Sequence, residues 1–234
     1  MTLKIKPILC RKGTMDNYAY ILTDTSTDTS AIVDASEAEP ILLYCQENNI
    51  KPQFIFTTHH HFDHVGGNEE LKEKFNLKIV APKIEAHLIN NVDITVSDGD
   101  EVWLGNSKIT VISAPGHTLG HVLWYCKDDK VLFTGDVLFN LCIGGLFEGT
   151  PQDMYTSLNK IKQLPDDVIF YPGHEYTKHC LHNILQNDKT AEYVQIATDR
   201  IKKQIPVAPV TLEMEKSCNP YLNINSLKDF SLLF

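Results

Sequence analysis

The sequence predicts an α/β fold: an αββα sandwich of two mixed β-sheets flanked by helices, followed by a helical tail. Three observations predict it. Apolar segments alternate with helical spacings over the first hundred residues, which requires crossover connections. Residues 101–134 then hold four apolar runs separated only by short turns, which parallel strands cannot follow. From residue 153 onward the spacing is helical.

In chain order, 3–10 and 18–23 read as an opening hairpin, with a polar turn over 24–30. A short strand over 31–33 ends at Asp34. Apolar groups at Ile41, Leu42 and Cys45 predict a helix over 38–48, with Ser36 as its cap and Glu37 in its first turn. A strand over 53–57 follows. Residues 68–75 read as a helix capped by Asn68, and 78–81 as a strand stopped by Pro82. A short helix is expected around 83–90. Strands are expected over 101–104, 108–113, 121–126 and 130–134, and another over 168–171. Helices are expected over 153–164, 175–187 and 190–204, with stops at Leu164-Pro165 and Gln204-Ile205-Pro206. Residues 1–172 are expected to form one domain and 173–234 a second, helical one.

Composition narrows the function. Hydrophobic residues make up 43% and charged residues 22% of the 234, ordinary for a globular chain. The net charge of −9 argues against nucleic acid, which needs a basic surface. No apolar run approaches a membrane span. The start lacks a basic segment followed by an apolar one, so a cytoplasmic protein is expected, with its six scattered cysteines as reduced thiols. A monomer is expected.

The chemistry concentrates in Thr58-His59-His60-His61-Phe62-Asp63-His64, at the end of an apolar strand. Imidazoles and a carboxylate suit a divalent transition metal. In an extended segment His59, His61 and Asp63 would point one way and His64 elsewhere, so the loop can serve two neighbouring ions. Three further ligands repeat one syntax of apolar strand, glycine, then His or Asp: Gly116-His117, Gly135-Asp136 and Gly173-His174. Two ions about 3.5 Å apart, with a bridging carboxylate and a bridging water, use a set of this size. The bridging water would ionise near neutral pH and act as a nucleophile. His60 reads as a spacer, His121 as support for the site or strand filler, and His87, His179 and His182 as surface residues.

The motifs Thr58–His64, Pro115-Gly116-His117-Thr118, Thr134-Gly135-Asp136 and Gly173-His174-Glu175-Tyr176-Thr177 resemble those of the metallo-β-lactamase superfamily. With Phe147-Glu148-Gly149-Thr150 and Asn219-Pro220-Tyr221, they resemble in particular its glyoxalase II branch, the hydroxyacylglutathione hydrolases. The resemblance implies the metallo-β-lactamase fold with a C-terminal helical substrate-binding domain. It implies that His59, His61 and His117 hold one ion, that Asp63, His64 and His174 hold the other, and that Asp136 bridges them. Asp63 and Asp136 are thus the catalytic carboxylates. Zinc is the first expectation, with iron and manganese as alternatives. The implied reaction is hydrolysis of S-lactoylglutathione to D-lactate and glutathione, with Tyr176, Phe147 and Gly145 at the substrate. A thiolate of pKa about 8.5 leaves without a general acid.

Two departures bear on the substrate. Gly145 stands where the family carries a basic residue, and the chain stops at Phe234, short of a family helix bearing further cations, for which Lys228 is the nearest substitute. Weaker binding of lactoylglutathione, or a different thiol carrier, is expected. The rival readings are a persulfide dioxygenase with one iron, a β-lactamase, and a non-catalytic module that kept the fold.

Overall fold

The computed structural model describes residues 2–203 and 210–234. The chain forms two compact units, Met1–Ser113 with Gly120–Asp129, and Ala114–Leu119 with Lys130–Phe234.

The first unit opens with the expected hairpin of β1 (Leu3–Cys10) and β2 (Asn17–Asp24), paired antiparallel from Leu3↔Asp24 to Cys10↔Asn17. Strand β3 (Thr29–Val33) pairs antiparallel with β2. Helix α1 (Ala38–Glu47) then crosses over to β4 (Pro52–Phe56), which lies parallel to β3. A single turn α2 (Phe62–Val65) and helix α3 (Asn68–Phe75) lead to β5 (Lys78–Pro82) and β6 (Ile94–Val96), both parallel additions. Ile41 and Cys45 of α1 and Leu71 of α3 close one face of this sheet over Ile21, Ile32, Ile55 and Ile79, all buried. An antiparallel set follows: β7 (Glu101–Leu104), β8 (Ser107–Ser113) and β9 (Val122–Cys126). The Phe56 ring lies 5.0 Å from that of Trp124, so the two sets meet face to face within this unit. Asp24 joins them by accepting from Asn106 N (3.0 Å) and Ser107 Oγ (2.8 Å).

The second unit holds β10 (Val131–Gly135), the small hairpin of β11 (Leu138–Phe139) and β12 (Cys142–Ile143), and helix α4 (Pro151–Lys162). Strand β13 (Ile169–Pro172) lies parallel to β10. Helices α5 (Thr177–Cys180) and α6 (Thr190–Lys202), strand β14 (Val210–Thr211) antiparallel to β13, and helices α7 (Leu212–Cys218) and α8 (Leu227–Ser231) complete it. Helix α4 starts two residues before the expected position. Thr150 Oγ1 accepts from Asp153 N, Thr150 N donates back to Asp153 Oδ2, and Pro151 takes the first turn.

Several expectations need correction. Helix α1 is entered through Glu37, and Ser36 Oγ instead accepts from Arg11 Nε at 3.1 Å. Asn68 lies inside α3, behind Gly67. Residues 83–90 hold only the 3₁₀ turn Ala86–Leu88. The helix expected over 175–187 ends at Cys180 and tightens into the 3₁₀ turn Leu181–Asn183. It stops where Cys180 is joined to Cys142 in a disulfide, with Cα atoms 6.1 Å apart. That bond also corrects the expectation of six reduced thiols; Cys10, Cys45, Cys126 and Cys218 remain thiols. Strands β6, β11, β12 and β14 were not expected, being two or three residues long with no alternation to read. The stop at Gln204-Ile205-Pro206 lies outside the described residues. No helix among the described residues is long and apolar enough to cross a membrane.

Candidate metal centre

In the first unit, parallel pairing delivers the histidine loop. Val33 lies beside Phe56 at the ends of β3 and β4, so Asp34 and Thr57-Thr58-His59 leave the sheet at the same edge. Asp34 turns there with φ +53°, a left-handed conformation that aspartate tolerates. Its carboxylate accepts from Thr58 N and Thr58 Oγ1, both at 2.8 Å, and from His64 Nδ1 at 3.0 Å. Thr58 Oγ1 in turn lies 2.9 Å from His59 Nδ1. One buried carboxylate therefore orients His64 directly and His59 through a hydroxyl.

The ring of His59 lies 4.7 Å from that of His61, 4.2 Å from that of His64 and 4.8 Å from that of His121. A ligand atom of His59 comes within 4.8 Å of one on His61 and of one on His64. The extended phase expected over 59–64 is corrected, because helix α2 begins at Phe62. Asp63 and His64 share that single turn and are both buried, while Phe62 is exposed. Asp63 Oδ2 accepts from Asn17 Nδ2 (2.9 Å) and stands 3.7 Å from His64 Nε2.

His60 is more than a spacer. Its backbone N donates to Glu85 Oε2 at 2.7 Å, and its Nδ1 stands 2.9 Å from the same oxygen. Glu85 Oε1 accepts from Gly120 N (2.7 Å), so this buried carboxylate ties the histidine loop to the turn before His121. His121 stacks on His59, in keeping with a supporting role, and His87, His179 and His182 are exposed.

The second unit gathers His117, Asp136 and His174. Gly135 pairs with Pro172 at the ends of β10 and β13, and Gly173 N donates to Gly135 O (2.8 Å), so Asp136 and His174 leave adjacent parallel strands side by side. Gly135 (φ +47°) and Gly116 (φ +146°) make the turns that aim Asp136 and His117. Asp136 Oδ2 lies 3.4 Å from His117 Nε2 and 3.2 Å from His174 Nε2. His117 Nδ1 faces the Gly145 carbonyl at 2.8 Å, so Gly145 enters the site through its backbone. Phe147, 73% exposed, stands edge-on to His117, and Tyr176 stacks on His174 with ring centroids 4.7 Å apart.

A shared electrostatic arrangement results. A carbonyl or carboxylate only accepts, so Nδ1 carries the proton on both His117 and His64. In the neutral ring Nε2 then holds the lone pair, and in each unit it faces an aspartate oxygen. Two acceptors facing each other repel unless a cation or a proton lies between them. Imidazole Nε2 with carboxylate, each oriented by a hydrogen bond behind it, is the donor chemistry of divalent transition metals. Asp34 and Glu85 were not singled out from sequence. Asp34 had a readable signal, since it too ends an apolar strand; Glu85 had none, because its role needs contacts 25 and 35 residues distant.

Known proteins resemble this chain over most of its length. The metallo-beta-lactamase superfamily profile matches residues 16–174. The chain is 38% identical over 235 residues to a hydroxyacylglutathione hydrolase of Pelagibacter ubique, covering 99% of this chain and 97% of that one. It is 42% identical over 225 residues to a hydroxyacylglutathione hydrolase of Brucella ovis, covering 94% and 86%. Its fold matches the crystal structure of ETHE1 from Myxococcus xanthus with a TM-score of 0.76 at 22% identity, over 98% of this chain and 89% of that one. The two mixed sheets with flanking helices are the metallo-β-lactamase fold, and the chain belongs to the metallo-β-lactamase superfamily, within its hydroxyacylglutathione hydrolase family.

Proposed function

We propose that this chain is a metal-dependent thioesterase that hydrolyses S-2-hydroxyacylglutathione, with S-lactoylglutathione giving D-lactate and glutathione. The observation that carries the reading is Asp136 Oδ2 between His117 Nε2 and His174 Nε2, with the Nδ1 of His117 anchored on Gly145 O. The ligand assignment is His59, His61 and His117 to one ion, Asp63, His64 and His174 to the other, and Asp136 to both. Zinc fits these donors first; iron and manganese use the same set. Two divalent ions in such a set supply Lewis acidity and acidify water.

The chain's own residues do the rest. Asp34 and the Gly145 carbonyl hold the tautomers of His64 and His117. Phe147 and Tyr176, aromatic and beside ligand rings, offer surfaces for the substrate. A thiolate leaving group needs no proton from a side chain. Residues 1–172 are assigned to the catalytic domain and 173–234 to a helical substrate-binding domain, whose first residues still contribute the ligand His174 and the aromatic Tyr176 to the site. A cytoplasmic monomer acting on a small molecule completes the proposal.

Gly145 favours a second reading, a thioesterase for another thiol carrier, because no cation stands at that position. The test is a thioester panel varied in acyl group and in thiol, with metal quantified on the same sample. Two metal ions per chain and preferred turnover of the lactoylglutathione thioester are expected. One iron per chain with no thioester turnover would overturn the proposal.

A further inference from the structure

Helices α6 and α7 grip the turn over residues 139–142 through one buried carboxylate. Glu215 is fully buried. Its Oε2 accepts from Leu141 N (3.0 Å) and Asn219 Nδ2 (2.9 Å), and its Oε1 accepts from Tyr193 Oη (2.5 Å). Asn219 Nδ2 also reaches the carbonyls of Phe139 (3.4 Å) and Cys142 (3.3 Å), and Asn140 Nδ2 donates to Tyr193 Oη (3.1 Å). Every residue of the turn is thus tied to the helical tail.

The turn is strained where Glu215 holds it. Leu141 has φ +63°, a left-handed conformation that a leucine adopts only when its surroundings impose it. Its side chain is buried against Tyr193, Ala197 and Cys218, and its N–H is the one bonded to Glu215. On the other side the turn meets the site. Phe139 places its ring edge-on to His174 (5.7 Å) and to Tyr176 (5.3 Å). Cys142 leads through Gly144, where a Cβ would overlap the Asp136 carbonyl oxygen, to the Gly145 carbonyl that anchors His117.

We propose that Glu215 is a positioning residue: by holding Leu141 in its left-handed conformation it sets the turn that orients His174, Tyr176 and, through Gly145, His117. The part concerning turnover rests on the thioesterase reading above. The role depends on reach and on an acceptor oxygen. Glutamine can keep an acceptor toward Leu141 N. Aspartate, one methylene shorter, keeps the charge and loses the reach.

The test compares Glu215→Gln, Glu215→Asp and Glu215→Leu in the full-length metal-loaded protein, and again after metal removal. Amide exchange is read on peptides covering 138–147, with those covering 78–82 as the internal reference. Glu215→Asp and Glu215→Leu are expected to speed exchange over 138–147 by at least about tenfold and to leave 78–82 unchanged. They are expected to lower kcat by between about 10- and 100-fold, with KM changed much less. Glu215→Gln is expected to stay close to the wild type in both. If Glu215→Leu does not fold, Glu215→Asp decides. Lower melting temperatures with exchange over 138–147 and kcat of the folded protein unchanged would overturn the proposal. A wild type without thioester turnover would overturn the thioesterase reading alone, and the exchange comparison would still decide the role of Glu215.

Discussion

His64 turns its Nδ1 to the Asp34 carboxylate at 3.0 Å, although thirty residues separate them. The same carboxylate accepts from Thr58, whose hydroxyl meets His59 Nδ1, so two candidate ligands depend on one anchor. Asp34→Ala is therefore expected to weaken metal affinity by about 10- to 100-fold. Competition with a chelator of known affinity measures it. An unchanged affinity would show that α2 alone fixes the ring.

Asp136 Oδ2 stands beside both His117 Nε2 (3.4 Å) and His174 Nε2 (3.2 Å). Asp136→Ala is expected to reduce metal to at most about one ion per chain and kcat/KM by at least about a thousandfold, a loss of roughly 4 kcal/mol of transition-state stabilisation. Elemental analysis and thioester kinetics on one preparation check both; full turnover would sink the ligand assignment.

Gly145 has room for a side chain. A Cβ there would meet only the Phe147 ring, at 3.4 Å, and its carbonyl bond to His117 would survive substitution. Gly145→Arg is expected to lower KM for a glutathione thioester by about tenfold, the scale of one charge-assisted hydrogen bond, with kcat unchanged. An unaltered KM would mean that the anionic end of the substrate is bound elsewhere.

Burial pushes the Glu215 carboxyl up from 4.5 to about 7. Between those values the folded protein binds more protons than the unfolded chain, so this group lowers stability as pH rises from about 4.5 to about 7 and adds no further slope above. Removing it by Glu215→Gln should flatten the decline by on the order of 3 kcal/mol. Denaturant unfolding of both proteins at pH 5 and pH 8 reads the difference. The other ionisable groups facing it, Tyr193 and Cys218, are pushed upward, so both stay protonated across that range.

The Cys142–Cys180 disulfide ties β12 to the end of α5. Mass spectrometry after alkylation in denaturant should show four modified cysteines without reductant and six with it. Replacing both cysteines by serine should cost about 2–4 kcal/mol of stability. Six reactive thiols in the unreduced protein would remove the bond.

The long strands were legible because their apolar runs are bounded by turn residues. Strands β1 and β7 lie where the sequence places them, and β8, β9 and β10 lie within a residue of that placement. Short strands and caps were not. A two-residue strand such as β14 exists only because β13 offers it partners, and Ser36 does not cap α1 because Arg11, from the turn after β1, donates to its hydroxyl.

By itself the sequence determined the fold class and the candidate donor residues, because periodicity and residue chemistry are local properties of the chain. His59, His61, Asp63, His64, His117, Asp136 and His174 could all be named from their neighbours. Only the tertiary structure decided which ring atom His59, His64 and His117 turn outward. That choice lies with Asp34, Thr58 and the Gly145 carbonyl, whose bonds form across 28 to 30 residues for His117 and His64, once the strands have paired. The strained turn at Leu141 has the same origin: a left-handed leucine has no local cause, and its partner Glu215 lies 74 residues away.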